Sequence, residues 1–450
     1  MGIWIIGLIA IISTVLVFFL PRPQTQGKSF WTFAKPLYEN YQPVVTRWNE
    51  TRPPEERINM VHLQLQALER RLMSSFLSGT PGPDLVEVER ATAGQAFRGG
   101  PQDIGLSDLT ERIRKEGLLE RINPPSLALW TRQGRIYGLP HDVHPVLLAY
   151  RADIVEAAGI DVSEIETWED FSRIMAPLMA DRDDQGRPKR YLLNLWETNT
   201  LAIEVLLLQA GGSLFNSDEQ PTLDSDRNVH VVATLVSWIA GPARIAADAP
   251  EYTASGNSLK LQGFVIASVM PDWLGGFWKG DMPSLSGKLK LMPLPAWEKG
   301  GLRTSVAGGT MLGLPKAGRN PDLAWEFAIH LYFNPDVAVA FYGKTGIIPP
   351  IPEFWSLPAF NAPDPYFSGQ PAGQLFIQQA PYVPARINSP YYNFSLACLT
   401  NAVGAVKQRA LDENNFSSDF LSKTAAQELA KAQAHVRRQM ERDLFVDKKE

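Results

Sequence analysis

The chain has 450 residues, of which 45% are hydrophobic and 20% charged, and its formal net charge is −5. This length exceeds the usual limit for a single hydrophobic core, so two lobes are expected. The negative charge argues against a surface for nucleic acid or anionic membranes, and the single cysteine, Cys398, excludes an intrachain disulfide.

The chain begins with an uncharged apolar segment, residues 3–20, whose 18 residues are just enough to span a bilayer. The segment is followed by neither a small-residue cleavage site nor a lipid-bearing cysteine. We interpret residues 1–27 as a signal-anchor helix with a linker, and a cleaved signal peptide is the alternative. Arg22 and Lys28 follow the span and would favour a cytoplasmic body, but two charges carry little weight.

The next segment alternates between strand and helix patterns. Residues 30–34, 58–63 and 84–89 have the apolar content of strands. The two segments between them repeat apolar residues at helical spacing, and Gly79 ends the second. This β-α-β-α-β order predicts a parallel, doubly wound sheet in an α/β fold.

Further elements follow the same logic along the rest of the chain. Helices are predicted over residues 153–158, 201–210 and 321–333. Another helix is predicted to begin at Trp168, with Thr167 as its N-cap. Strands are predicted over 264–270 and 289–294. The proline-rich residues 346–373 predict a long ordered surface loop, and residues 418–444 predict a helix that docks on the second lobe.

Polar and aromatic residues stand next to several predicted strands. Asp142 and His144 precede an apolar strand that begins at Val146. Trp273 follows the predicted strand over 264–270, and Gly308 and Gly309 end a later strand. In open α/β sheets, ligands bind beyond the carboxyl ends of the strands. The pattern therefore indicates a ligand cleft and not a catalytic motif.

Several of these motifs together resemble a known family. The matching stretches are residues 76–84, 137–150, 157–171, 270–273, 308–309 and 320–327. Their order and spacing resemble the extracellular sugar-binding proteins of ABC importers that are related to maltose-binding protein. The resemblance covers about residues 28–440.

The resemblance implies a two-lobed, periplasmic-binding-protein-like fold whose lobes close on a ligand at a hinge. The amino-terminal lobe would comprise residues 28–142 and 308–345. The carboxyl-terminal lobe would comprise residues 146–303 and 347–450. The chain would cross between the lobes near residues 141–146, 305–311 and 346.

The resemblance and the residue types together suggest the ligand-binding positions. Glu87 and Glu89 share one strand face and offer acceptors for hydroxyl groups, with structural pairing as the alternative. Asp142 and His144 fall in the family's cleft segment, with a structural role at the hinge as the alternative. Trp273 matches the family's sugar-stacking position. The other candidates are Trp31, Trp196, Glu197, Trp278, Gly308, Gly309 and Tyr391.

Enzymatic and metal-dependent interpretations have less support. The two carboxylates Glu87 and Glu89 project in parallel, whereas those of a glycosidase flank the scissile bond. His141, Asp142 and His144 offer too few convergent ligands for zinc, and residues 181–192 lack the final Glu of a calcium loop. We therefore expect no enzymatic activity, no cofactor and no metal.

The sequence thus predicts the substrate-binding component of an ABC importer. It would capture an oligosaccharide or glycoside between two lobes and deliver it to permease subunits. It would act at the periplasmic or extracellular face, exported or tethered to the inner membrane by its amino-terminal helix, and would bind no nucleic acid. The alternatives are a ligand-sensing module with the same fold, a binding protein for a non-sugar solute such as a polyamine, and a hydrolase using Glu87 or Glu89.

Overall fold

The computed structural model describes residues 27–442, and their strands form two five-stranded sheets and one two-stranded sheet. The predicted amino-terminal helix over residues 3–20 lies outside these described residues. Within residues 27–442, no helix has the length and apolar character needed to cross a membrane.

The twelve strands are β1 Lys28–Thr32, β2 Ile58–His62, β3 Leu85–Glu89, β4 Thr131–Arg132, β5 Arg135–Ile136, β6 Leu139–Pro140, β7 Val146–Arg151, β8 Tyr191–Asn194, β9 Ala246–Ala247, β10 Val265–Pro271, β11 Leu289–Pro293 and β12 Thr310–Gly313. The helices before β10 are α1 Lys35–Glu50, α2 Leu65–Ser78, α3 Arg90–Ala96, α4 Thr110–Lys115, α5 Pro124–Ala128, α6 Ala152–Ala157, α7 Trp168–Met175, α8 Thr200–Gln209, α9 Asp226–Ile239 and α10 Ala254–Gln262. The later helices are α11 Asp272–Asp281, α12 Pro321–Tyr332, α13 Pro335–Thr345, α14 Pro358–Asn361, α15 Ala372–Gln379, α16 Tyr392–Asp412 and α17 Ser418–Glu441.

The first sheet has the strand order β2-β1-β3-β12-β6. Strand β1 runs parallel to β2 and β3, as the β-α-β-α-β pattern predicts, whereas β12 runs antiparallel to β3 and β6. Helix α1 buries Leu37, Tyr41, Val44 and Trp48 at the predicted helical spacing. Helix α2 ends at Gly79, whose φ of 62° is the left-handed conformation that glycine adopts most readily.

The second sheet has the strand order β11-β7-β10-β8-β9. Strand β7 is antiparallel to both of its neighbours, and β8 is parallel to β9 and β10. Every residue of β7 and of β10 is buried, in agreement with their predominantly apolar sequences. Helix α7 begins with the reciprocal hydrogen bonds of a capping box between Thr167 and Asp170.

Three chain segments lie side by side between the two sheets. One joins β6 to β7, the second joins β11 to β12, and the third follows α13. The amide of Val146 donates to the carbonyl of Ser305 at 3.1 Å, and the amide of Val143 donates to the carbonyl of Ile348 at 3.1 Å. We refer to residues 141–146, 305–309 and 346–348 as the crossing segments, and they position the site described below.

The proline-rich stretch over residues 346–373 differs from the predicted surface loop. It contains helical turns at Pro352–Phe354, Pro358–Asn361 and Pro365–Phe367, and each turn has proline in its first positions. Proline suits those positions because its fixed φ matches the helix and its missing N–H has no helical partner there. Its residues Phe354, Phe360, Tyr366 and Phe367 are buried and Trp355 is partly buried, so the segment is part of the core.

The carboxyl-terminal helix α17 packs against α16 and α9 in the core around the second sheet. Its residues Leu421, Ala425, Leu429 and Val436 are buried at the spacing that the sequence indicates. Cys398 lies in α16 and is buried in the same core, which accounts for it as a packing residue.

Glu87 is fully buried in β3 and accepts three hydrogen bonds from hydroxyl groups. Tyr41 and Tyr332 donate to Oε1 at 2.8 and 2.6 Å, and Thr32 donates to Oε2 at 2.7 Å. Burial raises the pKa of the Glu87 carboxyl, and the hydroxyl donors oppose that rise. The network joins β1, β3, α1 and α12, so Glu87 holds the layers of the first sheet together.

Removing the Glu87 carboxylate should therefore destabilise the fold. The Glu87→Ala variant would leave three buried hydroxyls without their acceptor, and we expect it to lower the free energy of unfolding by about 3 kcal/mol. Urea denaturation measures this loss. Glu353→Ala, at an exposed ion pair, is the control and should cost less than about 1 kcal/mol. Equal losses in the two variants would contradict the structural role of Glu87.

Candidate functional site

A cavity of about 400 Å³ lies between the two sheets, next to the crossing segments. The start of α1 and the end of β3 line it from the first sheet, and the start of α11 lines it from the second. The crossing segments and the end of α13 complete its wall. The volume falls in the usual range for small-molecule sites, and its position matches the cleft that the strand ends predict.

Four large aromatic side chains form part of the cavity wall. Phe33, Trp273, Phe277 and Phe341 all line it. Trp273 is fixed because its indole Nε1 donates to the carbonyl of Ala307 at 2.9 Å. Phe277 meets Trp273 edge to face, with ring centroids 6.1 Å apart. Aromatic faces of this kind pack against the apolar faces of a ligand, while nearby polar groups take its hydroxyls.

Gly308 and Gly309 form part of the cavity wall in conformations that require glycine. Their φ angles are +103° and +135°. A Cβ atom on Gly308 would lie 2.7 Å from a ring carbon of His144, and one on Gly309 would lie 2.6 Å from Leu129. The two glycines therefore let the second crossing segment pass close to its neighbours.

His144 lines the cavity and is held between two buried carboxylates. Its Nε2 lies 2.9 Å from Oδ2 of Asp142, and its Nδ1 lies 2.7 Å from Oδ1 of Asp272. Burial alone disfavours a charged imidazole, but these two carboxylates raise the pKa of His144 to about 10. The ring is therefore an imidazolium at neutral pH and donates from both nitrogens.

The two carboxylates connect His144 to the rest of the crossing region. Asp272 also accepts from the amides of Trp273 and Ile348, at 2.8 Å in each case. Burial opposes ionisation of Asp142, but His144 and His141 hold the pKa of Asp142 well below its usual range.

Across residues 27–442, no group of three or more His, Cys, Asp or Glu side chains is arranged to hold a metal ion. Both nitrogens of His144 are already used in structural bonds.

Glu89 supplies a carboxylate at the cavity wall. Its Oε2 accepts from the amide of Ala91 at 2.7 Å and caps α3, while Oε1 lies 3.4 Å from Nε of Arg90. Burial raises the pKa of Glu89, and Arg90 opposes the rise. The remaining acceptor capacity of this carboxylate is available to a ligand hydroxyl.

Of the candidates taken from the sequence, the structure brings together Glu89, His144, Trp273, Gly308 and Gly309 around the cavity. Asp142 lies behind His144 and does not line the cavity itself.

The other candidates lie elsewhere. Glu87 is enclosed in its hydroxyl network, and Trp31 lines a separate surface hollow beside Arg70 and Arg71. Trp278 is buried and donates to Glu251 at 2.9 Å. The indole of Trp196 donates to the hydroxyl of Thr198, and Glu197 forms an ion pair with Lys407. Tyr391 is buried in the core around the second sheet.

Several residues of the cavity wall were not predicted from the sequence. Phe277 stands four residues after Trp273 in α11, so both rings lie on one helix face, and that spacing was a usable signal. Phe341, Lys344 and Ile347 come from the end of α13 and the segment after it, where the sequence predicted a crossing near residue 346 but no helix or strand. Nothing local marks those three residues as neighbours of Trp273.

Comparison with known proteins identifies the family. A family model described as bacterial extracellular solute-binding protein matches residues 35–338. The chain belongs to this family. The resemblance inferred from the sequence motifs is thereby confirmed, and the two-lobed α/β fold agrees with it.

Relatives of this solute-binding protein support the same assignment. It is 30% identical over 317 residues to the arabinooligosaccharide-binding protein of Bacillus subtilis, covering 68% of this chain and 70% of the relative. It is 25% identical over 342 residues to the arabinooligosaccharide-binding protein of Halalkalibacterium halodurans, covering 75% of this chain and 74% of that relative. The solved structure of the sugar-binding protein MalE from Xanthomonas citri superposes with a TM-score of 0.73 at 18% identity, covering 93% of this chain and 100% of that one. At that identity the structural match establishes the fold alone.

The charge on His144 predicts a pH-dependent stability. Its folded-state pKa of about 10 exceeds the ordinary value of 6.5. Its contribution to stability is therefore fully present below pH 6.5 and is lost as the pH rises through about 10. The free energy of unfolding of the wild type should exceed that of His144→Gln by more at pH 6.5 than at pH 10. Urea denaturation of both proteins at each pH measures the difference, and a pH-independent difference would contradict the buried imidazolium.

Proposed function

We propose that this solute-binding protein captures a carbohydrate, an oligosaccharide or a glycoside, in the 400 Å³ cavity between its two lobes. The observation that carries the proposal is that the aromatic face of Trp273 and the carboxylate of Glu89 line the same cavity. A sugar ring has an apolar C–H face and a rim of hydroxyls, and this wall offers a partner to each. Relatives described as arabinooligosaccharide-binding and lactose-binding proteins support the same ligand class.

The charges on the cavity wall favour a neutral ligand over a polyamine. Within the described residues that line the cavity, Glu89 is the only carboxylate, and the cationic His144 and Lys344 line it as well. A polyamine site needs several convergent carboxylates to compensate the ligand's charges. The buried Glu87 and the hydrogen-bonded Glu89 also offer no pair of carboxylates facing one bond, which supports binding without hydrolysis.

The proposed mechanism is closure of two lobes around the ligand. The lobes would comprise residues 28–142 with 308–345, and residues 146–303 with 347–450. The lobes would rotate about the crossing segments, and the ligand would stabilise the closed state by its greater affinity for that state. The closed form would then dock on ABC permease subunits at the periplasmic or extracellular face. Residues 1–27 would export the protein or tether it to the membrane.

The direct test of the ligand class is a thermal-shift screen of the protein against arabino-, malto- and galacto-oligosaccharides, lactose, mannitol and spermidine. A ligand present at about 100 times its Kd should stabilise the folded state by about 2.7 kcal/mol. A shift with one sugar series would support the proposal. A shift with spermidine alone would replace carbohydrate with polyamine as the ligand.

Trp273 should contribute directly to sugar affinity. Because Trp273→Ala removes the aromatic face from the cavity, we expect a loss of about 1–3 kcal/mol in binding free energy, measured by calorimetry with the best sugar of the screen. Trp278→Phe is the matched control. Trp278 is buried away from the cavity, so this variant should change stability and leave the sugar Kd within about twofold. Equal effects on Kd in the two variants would remove Trp273 from the site.

A further inference from the structure

A second group of buried charges lies beside Glu89 of the cavity wall, whose Oε1 is 3.4 Å from Nε of Arg90. Arg90 directly follows β3 of the first sheet, and Glu204 lies in α8 beside the second. The guanidinium of Arg90 donates to both carboxylate oxygens of Glu204, at 2.8 and 2.9 Å. The Glu204 side chain is 2% exposed and that of Arg90 is 15% exposed. This bidentate pair therefore crosses the seam between the lobes in a nearly water-free position.

Arg386 and Tyr392 complete the network around Glu204. Nη1 of Arg386 donates to Oε1 of Glu204 at 3.3 Å, and the hydroxyl of Tyr392 donates to the same oxygen at 2.8 Å. Arg386 also donates to the carbonyl of Gly308, in the cavity wall. Burial opposes ionisation of Glu204, but Arg90 and Arg386 hold the pKa of its carboxyl below the usual value. The network is thus charged at neutral pH and rigidly attached to the cavity.

Among the described residues, two small voids lie along the seam between the lobes past the cavity. The first, of about 20 Å³, is lined by Gly309, Leu129 and Arg386 among others. The second, of about 10 Å³, is lined by Leu129, Arg90 and Tyr392 among others. Voids of that size hold about one water each. Arg386 thus borders the void next to Gly309 of the cavity wall, and Arg90 borders the second void.

The opposite end of the cavity reaches solvent. Pro36, Phe277 and Lys344 line it there, and all three are exposed. A long ligand therefore has room to leave the cavity in one direction only.

We propose that Arg90, held by Glu204, is the stop that closes the inner end of the sugar cleft and limits how many sugar units contact the protein. The proposal rests on the carbohydrate-binding function proposed above. A chain end would lie against this stop, and further units would extend past Phe277 into solvent. In the wild type, affinity should rise with ligand length until the cavity is filled and then stay constant.

The test compares Kd across arabino-oligosaccharides and malto-oligosaccharides of two to six units, measured by calorimetry. Arg90→Ala opens the inner end, while Glu204 keeps its bonds to Arg386 and Tyr392. We expect the first unit beyond the wild-type plateau to improve affinity about tenfold in this variant and less than about twofold in the wild type. If Arg90→Ala does not fold, Arg90→Gln, which is shorter and uncharged, should show the same change in a smaller degree.

The matched control is Arg132→Ala. Arg132 also pairs across the seam, with Glu219 at 3.3 Å, but it lines neither the cavity nor the two voids. In the Arg132→Ala variant, affinity should stop rising at the same ligand length as in the wild type.

Three outcomes would count against the proposal, and they are distinguishable. An unchanged plateau in a folded Arg90 variant contradicts the stop alone. An equal loss of affinity at every length in the Arg90 and Arg132 variants shows that both ion pairs only hold the lobes together, and it also contradicts the stop. Failure of the wild type to bind any sugar of either series contradicts the carbohydrate function and, with it, the stop.

Discussion

The site depends on one buried charge, the imidazolium of His144. Its bonds to Asp142 and Asp272 join the first crossing segment to the start of α11, and Asp272 extends the connection to the amide of Ile348 in the third segment. His144 has a φ of +57°, a left-handed conformation that costs a non-glycine residue about 1–2 kcal/mol. Two charge-assisted hydrogen bonds offset that cost, and in return the imidazole is presented to the cavity in a fixed orientation.

The rest of the cavity follows from this arrangement. The bond to Asp272 fixes the start of α11, which places Trp273 and Phe277 on the wall. Trp273 in turn donates to Ala307, so the second crossing segment is held against the helix that carries the aromatic face. Gly308 and Gly309 make this close approach possible because neither has a Cβ to occupy the space. A polar hinge and an apolar wall are thus parts of one connected structure.

Much of the fold was predictable from the sequence because periodicity and capping act locally. The helix that begins at Thr167, the helix that ends at Gly79 and the parallel strands β1, β2 and β3 all appear where the pattern places them. The proline-rich stretch was misjudged because prolines at the first positions of short helices resemble the prolines of a loop. Its burial depends on packing against distant parts of the chain, which no local pattern reports.

The site was only partly predictable, for a similar reason. Glu87 and Glu89 stand two residues apart on one strand, yet hydroxyl donors from α1 and α12 enclose the first and leave the second at the cavity. Trp273 and Trp278 are equally prominent in the sequence, but a spacing of five residues turns them to different faces of α11. Such differences depend on which elements pack against each face.

The most direct test of sugar binding in this cavity is a crystal structure of the protein with the sugar that stabilises it most. We expect electron density for a sugar ring against the face of Trp273, with a hydroxyl within hydrogen-bond distance of Glu89. A sugar bound elsewhere on the molecule, for example at the surface hollow beside Trp31 and Arg70, would contradict it.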